Sequence, residues 1–330
     1  MRRSHSVKRK IFRYAAILFL VIFLFAAVLT VLTVWEKNQG VYPDTLITDT
    51  TVEYNGKRFV LNKDVETFLV MGLDKFDDSA QNDSYNNNQQ ADFLMLLVFD
   101  NQAKKCTGLH INRDAMVEMN VLGVAGEKVD TVTKQIALAH TYGNGREISC
   151  RNTADAVSTL LKGSKINHYM SLTMDSVAIL NDMVGGVEVE VLEDFTGIDD
   201  TLVKGEKVIL KGEHALNYVR TRYGLENSSN SIRMNRQKQY MQALYSKLIS
   251  CIEDDGEFVS KAAVKMADYI VSDRSVNQLS DIGSKFSEYD FLGIENIKGE
   301  SKSGKKFIEF YPDDDSVKEL VIKLFYKLEE

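Results

Sequence analysis

The sequence predicts an α/β fold: a single layered domain with a mixed central sheet flanked by helices, preceded by one transmembrane helix. Three observations predict it. Phe68-Leu-Val-Met71 and Phe93-Leu-Met-Leu-Leu-Val-Phe99 are almost continuously apolar, the pattern of strands covered on both faces. Helical patterns separate the strand-like runs, at Val132–Ala139, Thr153–Leu161, Asp175–Met183 and His214–Arg220, and such alternation marks a layered architecture. Ahead of them all, the stretch from Tyr14 to Trp35 carries no charge and is long enough to cross a hydrocarbon core of about 30 Å as a helix.

The first 13 residues hold Arg2, Arg3, Lys8, Arg9, Lys10 and Arg13 and no acidic residue. A basic flank of this kind stays in the cytoplasm, which sends everything after Glu36 outside, and Tyr14 and Trp35 suit the two interfaces. The apolar stretch exceeds a usual signal-peptide core, no A-x-A-like site follows closely, and no Cys marks its end, so a retained anchor is expected. The chain then divides into a cytoplasmic tail (1–13), a transmembrane anchor (14–35), a stalk (36–66), a core (67–250), and C-terminal helices with a strand packing on that core (251–330). In the stalk, Thr51–Tyr54 and Lys57–Val60 flank Asn55-Gly56, a strong hairpin cue. Further strands are expected at Gly108–Ile111, Val187–Val191 and Lys306–Tyr311. Asn152-Thr-Ala-Asp155 and Thr173-Met-Asp175 are plausible helix starts, and Ser228–Ser231 caps a helix running through Leu244. A last helix, Ser316–Leu328, aligns Val317, Leu320, Val321, Leu324 and Phe325 on one face. Only two prolines and no low-complexity linker occur, so no internal boundary is expected.

The net charge is −7, and setting aside the six N-terminal cations leaves −13 for the remainder. So acidic a domain is a poor candidate for general nucleic-acid binding. Cys106, Cys150 and Cys251 form no framework; one disulfide is possible, and its pairing is open. The five His residues are scattered, without zinc-type spacing.

Against this acidity, Arg220, Arg222, Arg233 and Arg236 fall in one short span, with Gln237 beside the last. Guanidinium groups present planar, bidentate donors that match phosphate oxygens and remain charged at any working pH. Arg233 lies in a first helical turn, where a cation opposes the macrodipole, so an anion outside the helix is the expected reason for it. Any one of these arginines is more often a solvated side chain; four together favour anion binding. Ligand sites in α/β sheets gather at strand ends. Asp74 follows the first core strand, Asp92 opens the next, and Arg113 and Asp114 follow the third. Asp77, Asp78 and Asp83 read as turn residues.

These features resemble the LytR–CpsA–Psr family of cell-wall enzymes. In order along the chain they are Gly72-Leu-Asp74, Ala91-Asp92, Asn112-Arg113-Asp114, Ala139-His-Thr-Tyr-Gly143 and Leu180-Asn-Asp-Met-Val-Gly-Gly-Val187. Leu210-Lys-Gly-Glu-His-Ala-Leu-Asn-Tyr-Val-Arg-Thr-Arg222 and Arg233-Met-Asn-Arg236-Gln237 follow. The resemblance implies that 67–250 is a catalytic core outside the cytoplasmic membrane of a Gram-positive-type bacterium. There it would transfer an anionic glycopolymer, of teichoic acid or capsular type, from a polyprenyl-pyrophosphate carrier to a peptidoglycan hydroxyl. It implies Mg²⁺ (or Mn²⁺) bound by Asp74 and Asp92, and a pyrophosphate held by Arg113, Arg220, Arg222, Arg233 and Arg236, with Gln237 in support. Catalysis would rest on Arg113, Arg220, Arg222 and Asp92, and a pyrophosphatase side activity is conceivable. Apolar side chains near the sheet, for instance on 93–99, could house the lipid or simply form core.

Two positions depart from the family pattern. Gln90 stands where many members have Arg, and Asn230 where many have Asp. Asn cannot be a general base, which leaves Asp74, Asp92, Asp114 and Glu226 open for that role. The departures also motivate an alternative: a membrane-anchored protein that binds lipid-linked or wall polymers without chemistry. A direct regulatory role on DNA is disfavoured, because the expected cytoplasmic tail is too short to form a DNA-binding domain.

Overall fold

The computed structural model describes residues 50–76, 87–123, 125–221, 230–304 and 307–329. The expected anchor at 14–35 lies outside these residues, as do Arg222 and Glu226; among the described residues no helix is long and apolar enough to cross a membrane. The expected hairpin forms, but as part of the folded domain rather than of a stalk: Val52, Tyr54, Phe59 and Leu61 pack against the main core. β1 (Thr51–Tyr54) and β2 (Lys57–Leu61) pair antiparallel around Asn55 and Gly56, whose φ values of 50° and 71° make the left-handed turn that Asn-Gly favours.

β3 (Val65–Leu73), β4 (Phe93–Asp100) and β5 (Lys105–His110) follow, then a hairpin of β6 (Met116–Leu122) and β7 (Lys128–Gln135). The helix expected over Val132–Ala139 is not there. Val132 to Gln135 end β7, paired with β6, and Ile136–Thr141 is a short 3-10 helix. The β-branched alternation in Lys128-Val-Asp-Thr-Val-Thr outweighs the helical spacing of the few residues after it. α1 (Glu147–Leu160) starts before the expected Asn152, which is buried inside it with Nδ2 donating to the Ala139 carbonyl at 2.9 Å.

β8 (His168–Thr173), α2 (Met174–Met183), β9 (Val187–Glu190), β10 (Lys207–Leu210), α3 (Glu213–Arg220) and α4 (Asn230–Asp254) complete the middle of the chain. α5 (Phe258–Met266), β11 (Ile270–Ser272), α6 (Val276–Phe286) and β12 (Asp290–Asn296) follow. β13 (Gly299–Ser303), β14 (Ile308–Pro312), α7 (Asp314–Phe325) and β15 (Tyr326–Leu328) close it. The last helix therefore stops at Phe325 rather than Leu328, because Tyr326 to Leu328 extend and pair with β2.

The central sheet has the order β11-β8-β3-β4-β5-β12. β3, β8, β5 and β12 run one way; β4 and β11 run the other. This mixed sheet is covered on both faces, as the unbroken apolar runs require. Leu69, Met71, Leu94 and Leu96 pack one face with α1 residues Ala154 and Val157 and α7 residues Val321 and Phe325. Phe68, Val70, Met95 and Phe99 pack the other with Phe286 and Tyr289. A further apolar cluster joins β9 and β10 to Tyr218 of α3 and Tyr240 and Leu244 of α4. Residues beyond 250 supply both edge strands of the central sheet. Cys106, Cys150 and Cys251 are all unbridged. Burial pushes the thiols of Cys106 and Cys150 up to about 12.

Candidate active site

Strand direction gathers the site. The C-terminal ends of β3, β8 and β5 and the N-terminal end of β4 lie at the same end of the sheet, the usual place for a ligand in such folds. Asp74 follows β3 there, Asp92 precedes β4, and Asn112-Arg113-Asp114 follows β5. The Asp92 amide donates to the Gly72 carbonyl at 2.8 Å, which fixes the first two segments side by side.

Arg113 is the hub of this edge. Its guanidinium pairs with Asp92, donates to the Gln90 side-chain oxygen, and approaches Asp114 Oδ1 at 3.6 Å. Asp114 is buried and accepts from Gln135 Nε2 at 3.1 Å. Behind them sits the 3-10 helix of the Ala139–Gly143 motif. Ala91 N donates to Ala137 O and Ala137 N to Arg113 O, both at 3.1 Å, so one short element spaces both strand ends. His140 inside it is fully buried, with Nδ1 hydrogen-bonded to Gln89 O at 3.0 Å; burial lowers it to about 4, so it is neutral.

Two arginines come from outside the sheet. Arg220, the last residue of α3, pairs with Asp74 at 3.1 Å, both side chains more than half exposed. Arg233, in the first turn of α4 as expected, is buried and donates Nη2 to Asn230 Oδ1 at 2.7 Å. Asn230 in turn donates Nδ2 to Asn112 Oδ1 at 2.7 Å, so the start of α4 is fastened to the end of β5. His110, the last residue of β5, lies beneath. Burial, then the charges of Arg233 and Lys238, lower it to about 3 and keep it neutral.

Arg236 and Gln237 do something else, and the expectation that they hold an anion is corrected. Arg236 is 1% exposed. Its Nε lies 2.6 Å from Glu193 Oε2, and its two terminal nitrogens donate to the carbonyls of Tyr218 and Thr221. Its charge also rests over the rings of Phe195 and Tyr218, 5.2 and 5.9 Å from their centres. Gln237 Nε2 donates to Val219 O at 3.1 Å. Together they satisfy the otherwise orphaned carbonyls at the C-terminus of α3. These donors are spent on the protein itself.

An apolar cavity of about 680 Å³, counting its mouth, adjoins this edge. Its lining includes Gly72, Phe93, Val219, Tyr240, Met241 and Leu244. Three of these are chain neighbours of the rim: Gly72 stands two before Asp74, Phe93 follows Asp92, and Val219 precedes Arg220. Gly72 is needed there, since a Cβ would meet the Phe93 Cβ at 2.9 Å. Of the apolar run 93–99, only Phe93 lines the cavity, and the rest is core.

For a metal, the rim offers Asp74 and Asp92. Among the described residues no cluster of three or more His, Cys, Asp or Glu side chains could hold an ion by itself. Two carboxylates suit Mg²⁺ when substrate phosphate and water complete its oxygen shell, so the donor set fits a metal that arrives with a phosphate ester.

Reading the sequence missed Asn112, whose side chain joins two distant segments, and Glu193, which neutralises Arg236. An Asx-type turn at Asn112-Arg-Asp was a visible signal for the first, since Asp114 N donates to Asn112 Oδ1 at 2.9 Å. Nothing local announces the second. Thr173, expected to open α2, occupies its N-cap, but its hydroxyl makes no capping bond and has no partner among the described residues.

The fold and this edge define an α/β protein with an arginine–carboxylate rim beside an apolar cavity. The sequence matches the LytR_cpsA_psr family over residues 32–324, and the chain belongs to that family. It is 27% identical over 249 residues to the polyisoprenyl-teichoic acid–peptidoglycan teichoic acid transferase TagU of Enterococcus faecalis, covering 74% of this chain and 73% of that one. It is 28% identical over 191 residues to the transferase of the same description, TagV, of Bacillus subtilis, covering 56% of this chain but only 44% of that one. Among solved structures, B. subtilis TagV matches with a TM-score of 0.57 at 22% identity, over 79% of this chain and 96% of that one. A structure of TagT bound to LI-WTA matches with a TM-score of 0.59 at 20% identity, over 79% of this chain and 90% of that one. These structural likenesses establish the mixed-sheet fold.

Proposed function

We propose that this protein is an extracytoplasmic phosphotransferase. It attaches an anionic glycopolymer, of teichoic acid or capsular type, from a polyprenyl-pyrophosphate carrier to a peptidoglycan hydroxyl. The observation that carries the proposal is the adjacency of the arginine–carboxylate rim and the apolar cavity. A polyprenyl pyrophosphate is an anion joined to a hydrocarbon, and few other cell-wall intermediates need both halves of such a site. The basic tail at 1–13 and the uncharged stretch at 14–35 support a membrane anchor, which keeps the domain where that lipid lies.

In this reading Arg113, Arg220 and Arg233, with Arg222, hold the pyrophosphate. Guanidinium groups that outlast the reaction in a fixed arrangement stabilise charge as it builds on the leaving phosphate. The acceptor hydroxyl attacks the phosphorus that bears the glycopolymer. A new P–O bond forms, the bridging P–O bond of the pyrophosphate breaks, and polyprenyl phosphate leaves. Asp74 and Asp92 would hold Mg²⁺ (or Mn²⁺), which neutralises phosphate charge when bound. Asp114 is buried against Arg113 and Gln135 and Asp92 is paired with Arg113, so among the described residues Asp74, more than half exposed, is the rim carboxylate most open to the hydroxyl proton. Water in place of the acceptor would give pyrophosphatase activity.

Gln90 and Asn230 keep a second reading in view, a binding protein without chemistry. Both, however, serve as acceptors for site arginines, which supports an intact anion site. The test incubates the full chain in detergent with a short polyprenyl-pyrophosphate glycan and a peptidoglycan oligomer, with Mg²⁺ or chelator, and reads products by mass spectrometry. A Mg²⁺-dependent phosphodiester product is expected. Binding without any product would favour the second reading.

A further inference from the structure

Asn112 and Asn230 stand 118 positions apart and meet at 2.7 Å, with only 7% and 5% of their surfaces exposed. The orientation of both amides is fixed from outside. At one end a backbone N–H, that of Asp114, donates to Asn112 Oδ1 at 2.9 Å. At the other, a guanidinium that can only donate, that of Arg233, reaches Asn230 Oδ1 at 2.7 Å. Asn112 must therefore present its oxygen, and Asn230 must present its NH₂ to that oxygen and its own oxygen to Arg233. No other assignment of the four amide atoms satisfies these contacts.

The connection has a consequence for the site. Arg113 and Asp114 ride on the chain next to Asn112, and Arg233 is gripped by Asn230. The two halves of the rim, one at the end of β5 and one at the start of α4, are thus joined by this amide pair. A carboxylate at 230 could still accept from Arg233, but it would set oxygen against oxygen at Asn112. An amide is the side chain of this size that donates to one neighbour and accepts from the other.

We propose that Asn112 and Asn230 form a positioning latch that aligns Arg233 with Arg113 for binding a pyrophosphate group. The latch touches Arg233 directly and reaches Arg113 through the backbone, and Asn230 is matched to Asn112 in this chain. The inference rests on the anion-binding reading of the rim given above.

The test uses the full chain in detergent, with farnesyl pyrophosphate as the probe in calorimetry and thermal unfolding followed separately. Asn112→Ala and Asn230→Ala should each weaken binding by about tenfold, or about 1.4 kcal/mol. The double variant should bind no more weakly than either single one, because each removes the same contact. In an Arg233→Ala background, Asn230→Ala should add no further loss. Asn230→Asp should weaken binding as well. Wild-type affinity in both alanine variants, losses that multiply in the double variant, or tighter binding by Asn230→Asp would overturn the latch alone. A wild-type protein that fails to bind the probe would overturn the pyrophosphate reading together with it. Alanine variants that lose stability but keep wild-type affinity would reduce the pair to a structural contact and overturn its positioning role.

Discussion

The rim of the sheet and the clamp behind it are both built from arginine and carboxylate, yet they are built for different tasks. At the rim, Arg220 and Asp74 pair at 3.1 Å with more than half of each side chain in solvent. Such a pair contributes little to stability and can open to admit an anion. In the clamp, Arg236 and Glu193 pair at 2.6 Å with 2% and 7% of their side chains exposed, and Arg236 also caps α3. That charge is not available to a ligand, and burial lowers the Arg236 pKa from its usual value while Glu193 opposes the shift. Arg233 and Arg236 stand three positions apart on one helix, and in the proposed site they divide between the two tasks. Charge type alone does not identify a binding residue; burial and a buried counter-charge set Arg236 apart from the exposed Arg220.

The comparison can be broken by substitutions, taken from the largest effect downward. Glu193→Ala leaves Arg236 buried without its counter-charge and should cost about 3–5 kcal/mol. For a domain of this size that lowers the melting temperature by roughly 5–8 °C. Thermal unfolding with no change in midpoint would show that the clamp does not hold the fold.

Acid should weaken the region beneath the rim next. His110 and His140 have folded pKa values of about 3 and about 4, below the 6.5 of the unfolded chain. The unfolded state takes up protons first, so their contribution is whole above about pH 6.5 and is lost as pH falls through the folded values. Asp155 acts oppositely: burial raises it to about 6, and it recovers stability as pH drops below that. Between pH 6.5 and 4.5 the net loss should be roughly 3 kcal/mol. Denaturant titrations at the two values measure it, and an unchanged midpoint would contradict the neutral burial of the two histidines.

Arg220→Ala should reduce transfer by about a hundredfold, about 2.7 kcal/mol at the barrier, if it holds phosphate as proposed. Its melting temperature should stay within about 1 °C of wild type, as expected for an exposed pair. Met241→Trp, which fills part of the cavity, should weaken farnesyl pyrophosphate several-fold, about 1 kcal/mol, and leave inorganic pyrophosphate unaffected. Equal losses for both ligands would sever the cavity from the lipid.

Much of this arrangement could be read before any coordinates. The two apolar runs became central strands, Asn55-Gly56 made its turn, and Asp74, Asp92, Arg113 and Asp114 reached one sheet end because β4 runs antiparallel between β3 and β5, which brings its start beside their ends. Other parts could not be read. β8, His168-Tyr-Met-Ser-Leu-Thr, is a central strand with mixed composition, and it is made a strand by its neighbours β3 and β11. The stretch from Val132 suits either period, and pairing with β6 decided it. Arg236 looked like Arg233 because the partner that claims it, Glu193, is remote in sequence, and a single chain does not show which charges will meet. The Asn112–Asn230 pair was hidden for the same reason.

The most direct measurement is a crystal structure of the protein with geranylgeranyl pyrophosphate and Mg²⁺. The account predicts phosphate oxygens within hydrogen-bond reach of Arg113, Arg220 and Arg233, the prenyl chain in the cavity lined by Phe93, Val219 and Met241, and Arg236 still on Glu193. Phosphates bound away from the rim, or a prenyl chain outside that cavity, would contradict it.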